Sequence, residues 1–98
     1  MSGQYILDEN GNPVLETDIL KWGKWMQKAD RHIAFDRLPM GVQVSTVFLG
    51  LDHSFSDGDP VLWETMIFGG PHDQYQERYA TLEAAKHGHM QALSMAKG

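Results

Sequence analysis

Asp52 and His53 close a β-prone run, and Glu64 stands in the run that would pair with it. Carboxylates and an imidazole held at the end of rigid strands are what a general base or a polar ligand contact requires. Glu64 falls among apolar neighbours, and an unpaired buried carboxylate is costly, so it needs a cation. Arg78 is the candidate partner. One reading makes Glu64 and Arg78 a structural ion pair at a helix or subunit contact. The other places Asp52, His53, Trp63, Glu64, Arg78 and Tyr79 in one ligand- or partner-binding cluster. Gly69-Gly70 joins that cluster, because paired glycines let backbone amides approach an anion. Arg78 and those amides would meet the anion, and Trp63 or Tyr79 would stack on it.

Five histidines, His32, His53, His72, His87 and His89, invite a metal reading. The His87-Gly88-His89 spacing chelates on a strand, but on a helix the two rings point about 200° apart. No metalloprotease or calcium-loop pattern is present, and Asp57 and Asp59 suit a turn better than a calcium site. No metal and no cofactor are expected. His89 lies on an apolar helical stripe and reads as a core histidine bonded to a backbone carbonyl. Asp52-His53 and His72-Asp73 could each supply a base and its orienter for hydrolysis. Adjacent strand residues point to opposite faces, however, so neither dipeptide is a ready dyad. Ser45, Ser54 and Ser56 lack the G-x-S-x-G elbow. Gly69-Gly70 is neither a dinucleotide fingerprint nor a phosphate loop.

The elements that must position these groups can be read from periodicity. Tyr5 to Leu15 suggests a hairpin with a type I′ turn at Asn10-Gly11 and an exposed Pro13 edge. Residues 17–30 read as a helix capped by Thr17 or Asp18, with Ile19, Trp22, Met26 and Ala29 on one face and Trp25 about 100° off it. Gly23 inside this helix costs roughly 1 kcal/mol against Ala and would allow a close approach by another element. Residues 31–38 read as a short strand, followed by a turn at Pro39-Met40-Gly41. The central hairpin spans about residues 42–68. A two-residue Asp57-Gly58 turn would set Leu49 opposite Met66 and Val47 opposite Phe68. One face then carries Val47, Leu49, Leu51, Leu62, Glu64, Met66 and Phe68; the other carries Val44, Thr46, Phe48, Trp63, Thr65 and Ile67. Residues 76–80 add an edge strand. Residues 81–97 form a second helix, capped by Thr81, with Leu82, Ala85, His89, Ala92, Leu93 and Ala96 inward.

The expected fold is therefore α+β: a single domain over residues 1–98, with an antiparallel sheet of three to five strands and two amphipathic helices. Both sheet faces are substantially apolar, so both need cover. Either one helix lies on each face, or the helices share one face and a second subunit takes the other; a homodimer is expected. The 98 residues carry eight Lys and Arg against 13 Asp and Glu, a formal charge of −5. That balance disfavours nucleic acid as a partner. The absence of cysteine excludes a disulfide scaffold, a zinc-thiolate site and a thiol nucleophile. No apolar run is long enough to span a membrane, and the first residues lack the features of a signal peptide, so a cytoplasmic location is expected.

Val44 to His53, then Trp63 to Gly70, Arg78-Tyr79-Ala80-Thr81 and Gly88-His89, resemble small proteins encoded by tailed bacteriophages and prophages. Tyr5 to Asp8 and Trp22 to Arg31 fit the same group. The resemblance covers nearly the whole chain. It implies a phage source and action in the host cytoplasm, and assigns no reaction. A small phage protein without enzyme motifs suits a role as accessory binding protein and host-defence antagonist. It would bind a host protein or sequester a small anionic, nucleotide-like ligand. The alternatives are a small His/Asp-dependent hydrolase and a purely structural dimeric module. The residues favour binding over catalysis.

Overall fold

The computed structural model describes residues 3–54 and 58–98. In chain order its elements are β1 (Tyr5–Leu7), β2 (Pro13–Leu15), α1 (Ile19–Lys28), β3 (His32–Arg37), β4 (Gln43–Phe48), β5 (Trp63–Phe68), β6 (Gln76–Tyr79) and α2 (Leu82–Lys97). The fold is α+β, as its patterning predicts. β3 to β6 form a four-stranded antiparallel meander, and β1 and β2 form a separate ribbon.

The ribbon is closed by five residues rather than the expected two-residue turn, because Leu7 pairs with Pro13. Gly11 takes φ +81° and Asn10 does not, so the type I′ geometry is absent. Asp8 organises the loop instead, its carboxylate accepting from the Asn10 and Asn12 amides. The ribbon docks on the main sheet where Tyr5 N–H donates to Gly50 O and Asp52 N–H to Gly3 O. Trp22 of α1 locks that junction: its indole N–H lies 3.2 Å from the Tyr5 carbonyl and 3.1 Å from that of Gly50. Asp18 caps α1 by accepting from Leu20 and Lys21 N–H, which satisfies two of its orphan donors.

β4 and β5 pair Val44 with Ile67, Thr46 with Thr65 and Phe48 with Trp63. This differs from the expected register by four residues. The Asp57-Gly58 turn behind that expectation reaches residue 57, outside the described residues. Near the hairpin end, Gly50 adopts φ +78° and ends the regular strand. A Cβ there would stand 2.6 Å from Met26 Sδ, so the position suits glycine both by backbone and by space. Because the displacement is even, the residues of β4 and β5 keep the faces assigned to them, but Leu62, expected on the face of Glu64, precedes the regular strand and is buried in the core with Phe48 and Trp63.

One face is covered. Val44, Thr46, Phe48, Trp63, Thr65 and Ile67 are buried there beneath α2, which contributes Ala85, Gly88, His89 and Ala92. Trp25 of α1 meets Phe48 edge-on at 5.8 Å, so both helices serve this same face. Thr81 caps α2 by accepting from Ala84 N–H. Neither helix reaches the opposite face, where Phe35 stays 41% and Phe68 38% exposed. The arrangement with one helix on each face is thereby eliminated.

Candidate functional site

The pairing register lays out the open face in three rows. Arg37, Gln43 and Phe68 form the first; Phe35, Ser45, Met66 and Gln76 the second; His32, Val47, Glu64 and Arg78 the third. Val47 and Met66 lie inside it beside Ser45 and Glu64, and the two phenylalanines stand at its margins, Phe35 on the edge strand and Phe68 at the end of its row. Arg37, His32, Gln76 and Arg78 give it a polar border.

Each charged group on the face has a defined setting. Glu64 Oε2 accepts from Arg78 Nε at 2.8 Å and also from the Gln76 amide. The ion pair expected from sequence therefore exists, and it holds Glu64 with its side chain 12% exposed. Arg37 makes no ion pair among the described residues. Its guanidinium lies over the Phe35 ring, 5.6 Å from the centroid. His32 approaches the same ring edge-on at 5.5 Å. Phe35 is thus an exposed ring held between two cation-capable groups on an edge strand. His32 also lies 3.3 Å from Asp30, and its amide is the first of the donors that lower the Asp30 pKa.

The predicted cluster separates into three places. Glu64 and Arg78 pair across β5 and β6 on the open face. Trp63 and Tyr79, one residue earlier and one later, pair on the covered face. Trp63 is buried against Phe48, so it offers no ring to a ligand. Its indole N–H and the Tyr79 hydroxyl are buried without hydrogen-bond partners among the described residues. Burial pushes the Tyr79 phenol up, with Thr65 acting against that shift. Asp52 and His53 lie beyond the end of β4, and Gly69-Gly70 turn the chain at the other end of β5 with φ +85° and +73°. The Gly69 amide already donates to Asp73 at 2.7 Å, which takes it from any anion. Neither histidine dipeptide forms a dyad among the described residues. Asp73 serves Gly69, and Asp52 accepts from the Ser54 and Val61 amides at 2.8 Å and from the Ser54 hydroxyl.

Those amides hold the Asp52 carboxyl below its usual pKa, the Ser54 amide first and Val61 second. A depressed acid stabilises the fold above its unfolded pKa, and this is lost as pH falls through the folded value. Asn at this position keeps an acceptor but cannot titrate. Between about pH 6 and about pH 3 the wild type should lose more stability than Asp52→Asn. Urea midpoints across that range measure the difference, and parallel profiles would refute the assignment.

A second polar constellation lies under α2, and sequence reasoning missed its strand members. His89 Nε2 stands 2.7 Å from Asp36 Oδ2, and Nδ1 stands 2.7 Å from Thr46 Oγ1. Thr46 and Thr65 share a further hydrogen bond across β4 and β5. The expected backbone-carbonyl partner of His89 is replaced by these side chains. One proton arrangement satisfies all four groups: Thr65 donates to Thr46, Thr46 to Nδ1, and Nε2–H to Asp36. The order hydroxyl, imidazole, carboxylate matches that of a hydrolytic triad. Thr46 has no exposed surface and His89 is 2% exposed, however, so no substrate carbonyl meets the hydroxyl. The constellation is a core network. The only signal for it was the alternation that puts Ala34 and Asp36 on the face of Thr46.

Two depressions lie away from the open face. One, of about 270 Å³, is lined by Leu38, Pro39, Val42, Ala96 and Lys97 at the C-terminal end of α2. Another lies on the outer side of α1. Among the described residues no cluster of three or more metal-ligating side chains occurs, and no helix is long and apolar enough to cross a membrane. No protein-family model matches the chain, and comparisons with curated proteins and with solved structures find no match.

Proposed function

We propose that the chain is a non-catalytic binding module that presents the open face of its sheet to another protein. The observation that carries this reading is the exposed Phe35, set between His32 and Arg37 on a face that neither helix covers. The face is a flat strand surface, whereas small-molecule sites are concave, so a protein surface suits it better than a free nucleotide. Its charge argues the same way. Glu64 and Arg78 satisfy each other, which leaves Arg37 as the border's unpaired cation among the described residues, on a chain of net −5. Two such faces laid together would oppose their arginines, and a nucleic acid would be repelled by the rest of the chain. A partner with an acidic rim around apolar side chains matches it. The resemblance to tailed-phage proteins supplies the setting: an accessory protein in the host cytoplasm that blocks a host factor by occupying its surface.

The test compares tagged chains recovered from infected cells. Phe35→Ser/Arg37→Glu alters only exposed groups, so its stability should stay within about 0.5 kcal/mol of wild type. The host protein recovered with the wild type should fall tenfold or more. Met90→Ser, exposed on α2, should leave recovery unchanged. Equal recovery with all three chains would overturn the reading.

A further inference from the structure

β3 is an edge strand: β4 pairs with one side of it, and among the described residues no strand pairs with the other. Leu38 N–H donates to Val42 O, which fixes the phase of the β3–β4 ladder. Bonded and non-bonded positions alternate along an antiparallel pair. Asp36 and Ala34 therefore exchange hydrogen bonds with Val44 and Thr46, whereas Arg37 and Phe35 direct N–H and C=O away from β4. Beyond the bulge, Phe48 N–H donates to Arg31 O, so His32 also turns outward, and its N–H is taken by the Asp30 carboxylate. The outward backbone of Phe35 and Arg37 stays open. These are the two residues whose side chains mark the uncovered face.

Such an edge is a template for a further strand, and natural edges are guarded by brevity, Lys, Pro, bulges or inward charge. β6, the opposite edge, has four residues, among them Glu77 and Arg78. β3 has six, without Lys or Pro, and its bulge lies ahead of Ala34. Its acid, Asp36, is already paired with His89 on the covered side.

We infer that the partner protein contributes an extended segment that joins β3 as a fifth strand of the sheet. This rests on the proposed function and specifies the partner's chemistry. Its backbone exchanges hydrogen bonds with Phe35 and Arg37. An apolar side chain lies opposite the Phe35 ring, and an acidic one, two residues away, lies opposite the unpaired Arg37 guanidinium. A second copy of β3 fits less well. Two-fold pairing about Phe35 would carry Arg37 to the irregular backbone between His32 and Ala34. Two-fold pairing about Asp36 would set two carboxylates opposite each other.

Residue-resolved hydrogen exchange of the full chain, free and in the complex recovered from infected cells, tests this. In the free chain the Phe35 and Arg37 amides should exchange quickly, as unbonded edge amides do. In the complex they should slow by about tenfold or more, while the β6 amides stay unchanged. Arg37→Gln and Arg37→Pro both remove the charge, but only Arg37→Pro removes the outward N–H and obstructs a neighbouring strand. Arg37→Pro should recover about tenfold less partner than Arg37→Gln. If circular dichroism shows Arg37→Pro unfolded, the wild-type exchange rates decide alone. Suppose a partner is recovered in a Phe35- and Arg37-dependent way, yet both amides exchange as in the free chain. That result overturns the strand addition and leaves the proposed function standing, as does equal recovery with folded Arg37→Pro and Arg37→Gln. Recovery of no protein that depends on Phe35 and Arg37 overturns both.

Discussion

His89→Ala should remove about 3–4 kcal/mol of stability, the largest effect of any single change considered. The cost has two parts. The imidazole is almost wholly buried between α2 and the sheet, so its deletion leaves a cavity that close-packed neighbours fill only in part. It also ends the chain of hydrogen bonds from Thr65 through Thr46, leaving a buried hydroxyl without its acceptor. Asp36 loses a partner too, but its side chain is half exposed and water replaces the donor. A domain of this size has about 5–15 kcal/mol in hand, so the variant should melt upward of about 12 °C lower. Asp36→Asn retains an acceptor for Nε2–H and should cost about 1 kcal/mol or less. Chemical denaturation of both variants checks the pair. A His89→Ala loss below about 1 kcal/mol would mean that the network does not support the core.

The second large effect is Gly88→Ala, and its sign runs against helix propensity. An exposed Gly→Ala change within a helix gains about 1 kcal/mol. Gly88 faces β6, and a Cβ there would collide with the Tyr79 phenol, with Cε1 only 2.5 Å away and the hydroxyl nearer still. The ring is held in the core beside Phe48 and Leu62 and cannot swing aside freely. Overpacking costs about 1–3 kcal/mol and a collision this close falls at the upper end, so after the propensity gain of about 1 kcal/mol the net loss should be about 2 kcal/mol. Tyr79→Phe removes a hydroxyl without a hydrogen-bond partner among the described residues and should be close to neutral alone. Combined with Gly88→Ala it should recover about 1 kcal/mol of the loss, since the two positions touch. A stabilising Gly88→Ala would show that α2 does not pass this close to β6.

These two sites show what local pattern could and could not convey. The helix ends were legible because capping is local: Asp18 and Thr81 each accept from amides two or three residues on. The assignment of faces in β4 and β5 was legible because the side-chain period of a strand is two, and a displacement of four preserves it. The register itself was not, since it depended on a turn length and on Gly50 leaving the β region, which alternation does not encode. The candidate cluster grouped residues close in sequence at the ends of two strands. Neighbours there point to opposite sides, so Glu64 and Arg78 met on the open face while Trp63 and Tyr79 met under α2. Phe35 and Arg37 were overlooked because an edge strand of six residues shows its outward set only once its partner strand is known. The expected cover is met on one face only, and Phe35 and Phe68 stay exposed on the other. That the two helices share one face follows from chain connectivity, which no residue announces.

The proposed role turns on whether the open face meets another protein in the cell. Replacing Phe35 with p-benzoylphenylalanine and irradiating infected cells puts the question to the surface itself. The account predicts a covalent adduct between the chain and a different protein, lost when Arg37→Glu is added and not formed from the same probe at Met90. No adduct at position 35, or one joining two copies of this chain, would contradict it.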